Sequence, residues 1–248
     1  MTNKKCLARM VVLCSCLNGV CSGQESEFPP LYPDRPCQMA YEHEGFFVND
    51  EGTREATEAT TTVRFLQTVD FEDEECWWLE VELRFEAERG LVVVATHSLL
   101  IPVSALRFGN APLQNVKQAL FDHSQMTADR AIEISTDGNW NNKPWIARSL
   151  IHFDAEPEFE SLPSATVKTP AGEFPCNVYR LIERRQTDDD QREVEHVFYL
   201  SDETPARLVS WTTRSKEADT DSPGDFEFRF ELTDYNENPV PAIPLDDD

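Results

Sequence analysis

The order Trp77-Trp78-Leu79-Glu80-Val81-Glu82-Leu83-Arg84-Phe85-Glu86-Ala87 admits little besides a β-strand. Trp77, Leu79, Val81, Leu83, Phe85 and Ala87 alternate with Trp78, Glu80, Glu82, Arg84 and Glu86. A helix would scatter that apolar set around its circumference, whereas the two-residue repeat of a strand gathers it on one face. The preceding stretch has the same pattern. Val63, Phe65, Val69 and Phe71 alternate with Arg64, Thr68 and Asp70, and the acidic run Glu72–Glu75 predicts the turn between the two strands. Near the end, Phe226, Phe228, Phe230 and Leu232 alternate with Glu227, Arg229 and Glu231. Strands with one dry face and one charged face belong to antiparallel sheets.

Other stretches extend this reading. Val167–Ile182 predicts a hairpin turned at Pro170 and Gly172, with Phe174, Cys176, Val178 and Ile182 on one face. Cys37–Val48, Ser149–Phe153, Val194–Leu200 and Leu208–Thr213 read as further strands, and Leu91–Ala95, apolar throughout, reads as one covered on both faces. Pro112–His123 is the expected helix, with Asn110 before it as a cap and Leu113, Val116 and Leu120 on one face. Met126–Ser135 predicts a second short helix or strand. The expected fold is mainly β: a curved antiparallel sheet or half-barrel of about eight to ten strands, with one or two helices over its concave face.

The chain divides on paper into residues 1–23, an extended lead-in over 24–36, a single β-rich domain over 37–235 and an acidic, proline-rich, mobile tail over 236–248. Lys4 and Lys5 precede the mostly apolar stretch Cys6–Val20, and small residues follow at 21–23, the pattern of an export signal. The expected location is periplasmic or extracellular. Lipoprotein anchoring is the rival, since Leu13-Cys14-Ser15-Cys16 has a lipobox-like order, but Arg9 breaks the apolar run before it. The rest of the chain holds no stretch long and apolar enough to span a membrane.

The formal net charge of −24 argues against nucleic acid, which requires clustered Lys and Arg. Loss of residues 1–23 would remove Lys4, Lys5 and Arg9 and no acid, giving −24 − 3 = −27. Four of the seven cysteines lie in that segment, leaving Cys37, Cys76 and Cys176. In an oxidising compartment one disulfide and one spare thiol is a natural outcome, with Cys76 and Cys176, both at strand starts, as the favoured pair. Three buried free thiols is the other outcome.

No catalytic or metal-binding motif stands out. The five histidines fall in separate elements, and no cofactor is expected. Asp219–Gly224 copies the first half of a calcium loop, but Phe230 occupies the position that needs a chelating acid. Trp140 and Trp145, among Asn139, Asn141 and Asn142, could stack on a sugar, though folding back onto the sheet is the commoner fate of such rings. The aromatic load of the inner face exceeds what one short helix covers, so Phe65, Leu83, Phe85, Phe228 and Phe230 are the candidate ligand-binding residues.

Several stretches carry a resemblance: Cys76-Trp77-Trp78-Leu79-Glu80, Leu100-Ile101-Pro102, Thr169-Pro170-Ala171-Gly172-Glu173-Phe174-Pro175-Cys176, Phe198-Tyr199-Leu200-Ser201 and Pro205. Their order resembles an uncharacterised family of exported bacterial β-proteins of planctomycete type. More distantly, it is similar to periplasmic lipoprotein carriers of the LolA and LolB type. That resemblance implies an antiparallel half-barrel closed by helices over an apolar cavity, with a lipid or a lipoprotein acyl chain as its occupant. It transfers no catalytic residue. The first expectation for function is therefore non-enzymatic binding of such a chain. The second is an envelope or extracellular interaction module with a packed core and another envelope protein as partner. The third is a carboxylate-based hydrolase.

Overall fold

The computed structural model describes residues 32–87, 91–106, 112–124, 132–133, 158–186, 191–215 and 223–245. Among the described residues, eleven strands form one antiparallel sheet: β1 (Cys37–Val48), β2 (Arg54–Phe71), β3 (Glu74–Ala87), β4 (Leu91–Pro102), β5 (Gln118–His123), β6 (Ile132–Glu133), β7 (Glu158–Thr169), β8 (Gly172–Gln186), β9 (Gln191–Leu200), β10 (Leu208–Ser215) and β11 (Phe226–Asn236). Their order is β6-β5-β4-β3-β2-β1-β11-β10-β9-β8-β7. The chain thus builds one meander outward from β1 to β6, then a second from the far edge inward. The first strand and the last pair at the centre.

The turns follow the local chemistry. Glu72 and Asp73 both take positive φ between β2 and β3 (51° and 66°), which suits the twist of a two-residue hairpin. Pro170 and Ala171 join β7 to β8, and Gly172 supplies a φ of 150° that a side chain would resist. Gly45 faces Phe228 across β1 and β11. A Cβ there would lie 2.6 Å from Phe228 Cδ1 and 2.8 Å from its Cα, so the ring needs the bare backbone beneath it.

Inner-face side chains form two apolar groups. The larger joins Cys37, Met39 and Tyr41 of β1 to Phe65, Trp77, Leu79, Val81, Leu99 and Leu232. Phe174 and Cys176 of β8 enter the same group. The tip of the β7–β8 hairpin brings them there: Ala171 donates its N–H to the Leu232 carbonyl (3.2 Å), and β7 lies against β10 and β11. The sheet therefore curls until its outer hairpin packs on its own centre. The smaller group holds Leu181, Phe198, Leu200, Trp211, Phe228 and Phe230.

Several expectations need correction. Among the described residues there is no α-helix. Pro112–His123 is not one helix but a single 3-10 turn, Pro112–Asn115, followed by strand β5. The free edge of β4 supplies the reason: Lys117 donates its N–H to the Leu100 carbonyl (2.8 Å), and Gln118–His123 pairs with Ala95–Leu100. Hairpin β7–β8 does the covering assigned to helices. Within β4, burial on both faces falls at Thr96–Pro102, not at Leu91–Ala95, where Val92 is 52% exposed. Of the lead-in, Tyr32 packs against the larger apolar group and Pro33 is buried, while Asp34, Arg35 and Pro36 are exposed. The expected strand at 149–153, the Trp140 and Trp145 loop, the export signal and most of the Asp219–Gly224 loop lie outside the described residues.

Candidate functional site

The five aromatic and aliphatic candidates do not converge on one cavity. Phe65 packs edge-on to Trp77 at 5.8 Å in the larger group. Phe228 and Phe230 belong to the smaller one. Leu83 is buried, and Phe85 is half-buried. Phe65, Phe228 and Phe230 are 6%, 3% and 5% exposed, so their surfaces are already taken up by neighbours.

Phe230 belongs instead to a row of rings that crosses the sheet from strand to strand. His43 stacks on Phe230 at 4.7 Å, Phe230 on Trp211 at 4.5 Å, and Trp211 on Phe198 at 5.8 Å. The register makes this row: His43, Phe230, Trp211 and Phe198 are direct cross-strand partners on β1, β11, β10 and β9. His196 joins it, stacked on Trp211 at 6.1 Å, with Nε2 3.5 Å from Glu183 Oε2. Both members of that pair are buried. His196 is thus a buried polar core residue, on the same strand as the buried Val194, Phe198 and Leu200.

The outer face carries the charge. A cavity of about 570 Å³ opens over β11, β1, β2, β3 and β4. Its charged lining is Glu42, Glu44, Glu58, Glu86 and Glu231 against Arg84 and Arg229. Phe85 is the one candidate from the sequence that reaches it. Register sets like charges face to face: Glu42 opposes Glu231, and Glu44 opposes Glu58. Such pairs destabilise a sheet. Arg229 offsets part of this through its ion pair with Glu231.

Farther along the same face lies a fully buried carboxylate. Gln38, Arg64, Glu80 and Ser98 are cross-strand neighbours on β1 to β4. Arg64 donates Nε–H to Gln38 Oε1 (3.0 Å) and its two terminal nitrogens to Glu80 Oε1 (2.7 Å) and Glu82 Oε2 (2.9 Å). The chain beyond β11 crosses this face. Ala242 donates its N–H to both Glu80 oxygens (3.0 Å each), and Ile243 donates to Oε2 (3.0 Å). Ile243 is 3% exposed. The tail is therefore docked at that point, contrary to the mobility expected of it. The Glu80 site went unread because Glu80 looked like any wet-face acid; its partners lie 16 and more than 160 residues away.

Cys37, Cys76 and Cys176 are buried free thiols, so the expected Cys76–Cys176 bond is not formed. Cys76 and Cys176 point their thiols at nearby carbonyls, Glu74 at 3.6 Å and Phe174 at 3.5 Å. Burial pushes all three thiols up, Cys37 to about 12. Among the described residues no group of three or more His, Cys, Asp or Glu is placed to hold a metal ion, and no helix is long and apolar enough to cross a membrane.

No family model and no curated protein matches the sequence. Solved structures give loose overlaps. A protein provisionally described as exported, with a YmcC-like fold, from Bacteroides fragilis NCTC 9343 aligns over 84% of this chain and 100% of its own at 10% identity and a TM-score of 0.38. A protein provisionally described as a lipoprotein, from Parabacteroides distasonis ATCC 8503, gives 84%, 98%, 10% and 0.38 for the same quantities. A β-barrel-like protein of a domain family of unknown function from Brucella abortus gives 84%, 99%, 8% and 0.27. Overlaps this loose carry no inference about role.

Proposed function

We propose that the protein is an exported, non-enzymatic interaction module that meets a cationic partner at the acidic outer cavity. Export rests on the basic and apolar pattern of residues 1–23. The carrying observation is the like-charge register. Glu42 opposite Glu231 and Glu44 opposite Glu58 weaken the sheet on their own, and an incoming cation relieves them. Burial of Phe65, Phe228 and Phe230 favours this reading over lipid carriage, because rings packed on one another offer an acyl chain little surface.

A labelled decalysine peptide tests the proposal. The expected result is saturable binding at about 20 mM salt that weakens at least about tenfold by 300 mM, and weakens further with Glu42→Gln and Glu44→Gln together. Binding indifferent to both changes would sink it. Fluorescent fatty acid is the companion probe. Saturable uptake would restore the lipid-carrier reading in its place.

A further inference from the structure

The Glu80 site is built like a receptor for an extended peptide. We propose that it is a peptide-binding site, that residues 237–245 occupy it as an intramolecular ligand, and that a partner's proline-rich segment of the same chemistry can take their place.

The receptor side is rigid. Glu80 is 0% exposed and sits mid-strand between β2 and β4, its carboxylate oriented by Arg64, which Gln38 and Glu82 hold in turn. Oε1 accepts from Arg64 and Ala242, while Oε2 accepts from Ala242 and Ile243. Without the tail, Arg64 would be the one donor left from this set. A buried carboxylate in that position calls for donors, and two successive backbone N–H groups answer it.

The ligand side is suited to docking and release. The tail reads Glu-Asn-Pro-Val-Pro-Ala-Ile-Pro-Leu, with prolines at 239, 241 and 244. Prolines lack N–H donors and hold φ near the polyproline value, so this segment cannot extend the sheet and loses little freedom on docking. Ala242 and Ile243 form its one pair of adjacent N–H groups between prolines, and both are spent on Glu80. Val240 is 72% exposed, and residues 237, 238, 241, 242 and 244 are exposed with it. Ile243 is the single fully buried side chain of the strap. The strap is held there and at its root, where Glu237 pairs with Arg35. Specificity would come from two adjacent N–H groups, an aliphatic side chain on the second, and prolines on both sides.

The test uses the full chain. Ala242→Pro with Ile243→Ser removes the first donor and the buried side chain of the tethered tail, and vacates the site. The probe is a fluorescein-labelled peptide with the sequence of residues 236–245. The vacated chain should bind it saturably, at least about tenfold tighter than the unaltered chain, where the tethered tail competes at high effective concentration. A probe carrying proline in place of its Ala242 should bind at least about tenfold more weakly, as should the unaltered probe when Glu80→Gln is added to the vacated chain. Failure of a vacated chain with unchanged circular dichroism to bind the probe would overturn the proposal. So would equal binding of both probes. The probe substitution leaves the protein untouched, so misfolding of the Glu80 variant cannot mimic that result.

Discussion

Two carboxylates, Glu80 and Glu183, are each 0% exposed, and the sheet satisfies them in different ways. Glu80 lies on the outer face, in the grip of a guanidinium and two tail amides. Glu183 lies on the inner face, with His196 at 3.5 Å and an aromatic row beside it. Arginine keeps its charge across the working pH range, whereas an imidazole is charged only when protonated. The outer carboxylate therefore belongs to a permanent ionic rung that also recruits backbone. The inner one sits beside an imidazole in a core of stacked rings. The same residue type, equally buried, serves capture on one face and packing on the other.

Mutation can break this contrast. Arg64→Met should have the largest effect. It removes the fixed cation from a fully buried carboxylate and also frees Glu82 and Gln38, at a cost of about 3–5 kcal/mol by chemical denaturation. Loss of the tail's protection at the Ala242 and Ile243 amides, read by hydrogen exchange, should accompany it. His196→Phe should cost less, about 1–3 kcal/mol, because the replacement keeps a ring in the stack with Phe198 and Trp211 and forfeits mainly the contact with Glu183. If it costs as much as Arg64→Met, the two sites do not differ in the way described.

The smallest effect concerns the cysteines, which sharpen the picture of a dry interior. Cys37 is raised to about 12 chiefly by burial, with Arg35 lowering it and Glu237 raising it. A raised thiol pKa means that the folded state holds its proton more firmly than the unfolded state. That contribution to stability is complete below the unfolded value near 9, and is lost as pH climbs from about 9 to about 12. At pH 8 the native protein should resist iodoacetamide at Cys37, Cys76 and Cys176, with labelling appearing only in denaturant; mass spectrometry would count the adducts. Rapid native labelling would show that the inner face is open.

Strands with strong alternation were legible. β3 buries Trp77, Leu79, Val81 and Leu83 and β11 buries Phe228, Phe230 and Leu232, the expected dry faces, and Pro170 with Gly172 marks the β7–β8 turn. Pro112–His123 misled because Leu113, Val116 and Leu120 fit a helical repeat over a stretch short enough to fit a strand as well. The deciding groups were the unpaired N–H and C=O groups along β4, which local periodicity does not contain. The candidate site was less legible still. Each of Phe65, Leu83, Phe85, Phe228 and Phe230 was read as facing inward; the register keeps Phe85 in line with Ala59 and His43, yet the five are divided between packing environments.

Residues taken in order determined the β class, the antiparallel pairing and the turn positions, because side-chain alternation and turn chemistry act within a few residues. Tertiary structure alone decided that the first and last strands meet at the centre and that a hairpin, not a helix, packs over the core. It also decided which of many acids would become Glu80. Those outcomes depend on groups far apart in the chain whose donors and acceptors must be satisfied together. An alternating strand shows that Glu80 faces outward; only the folded sheet shows that the tail lies across it.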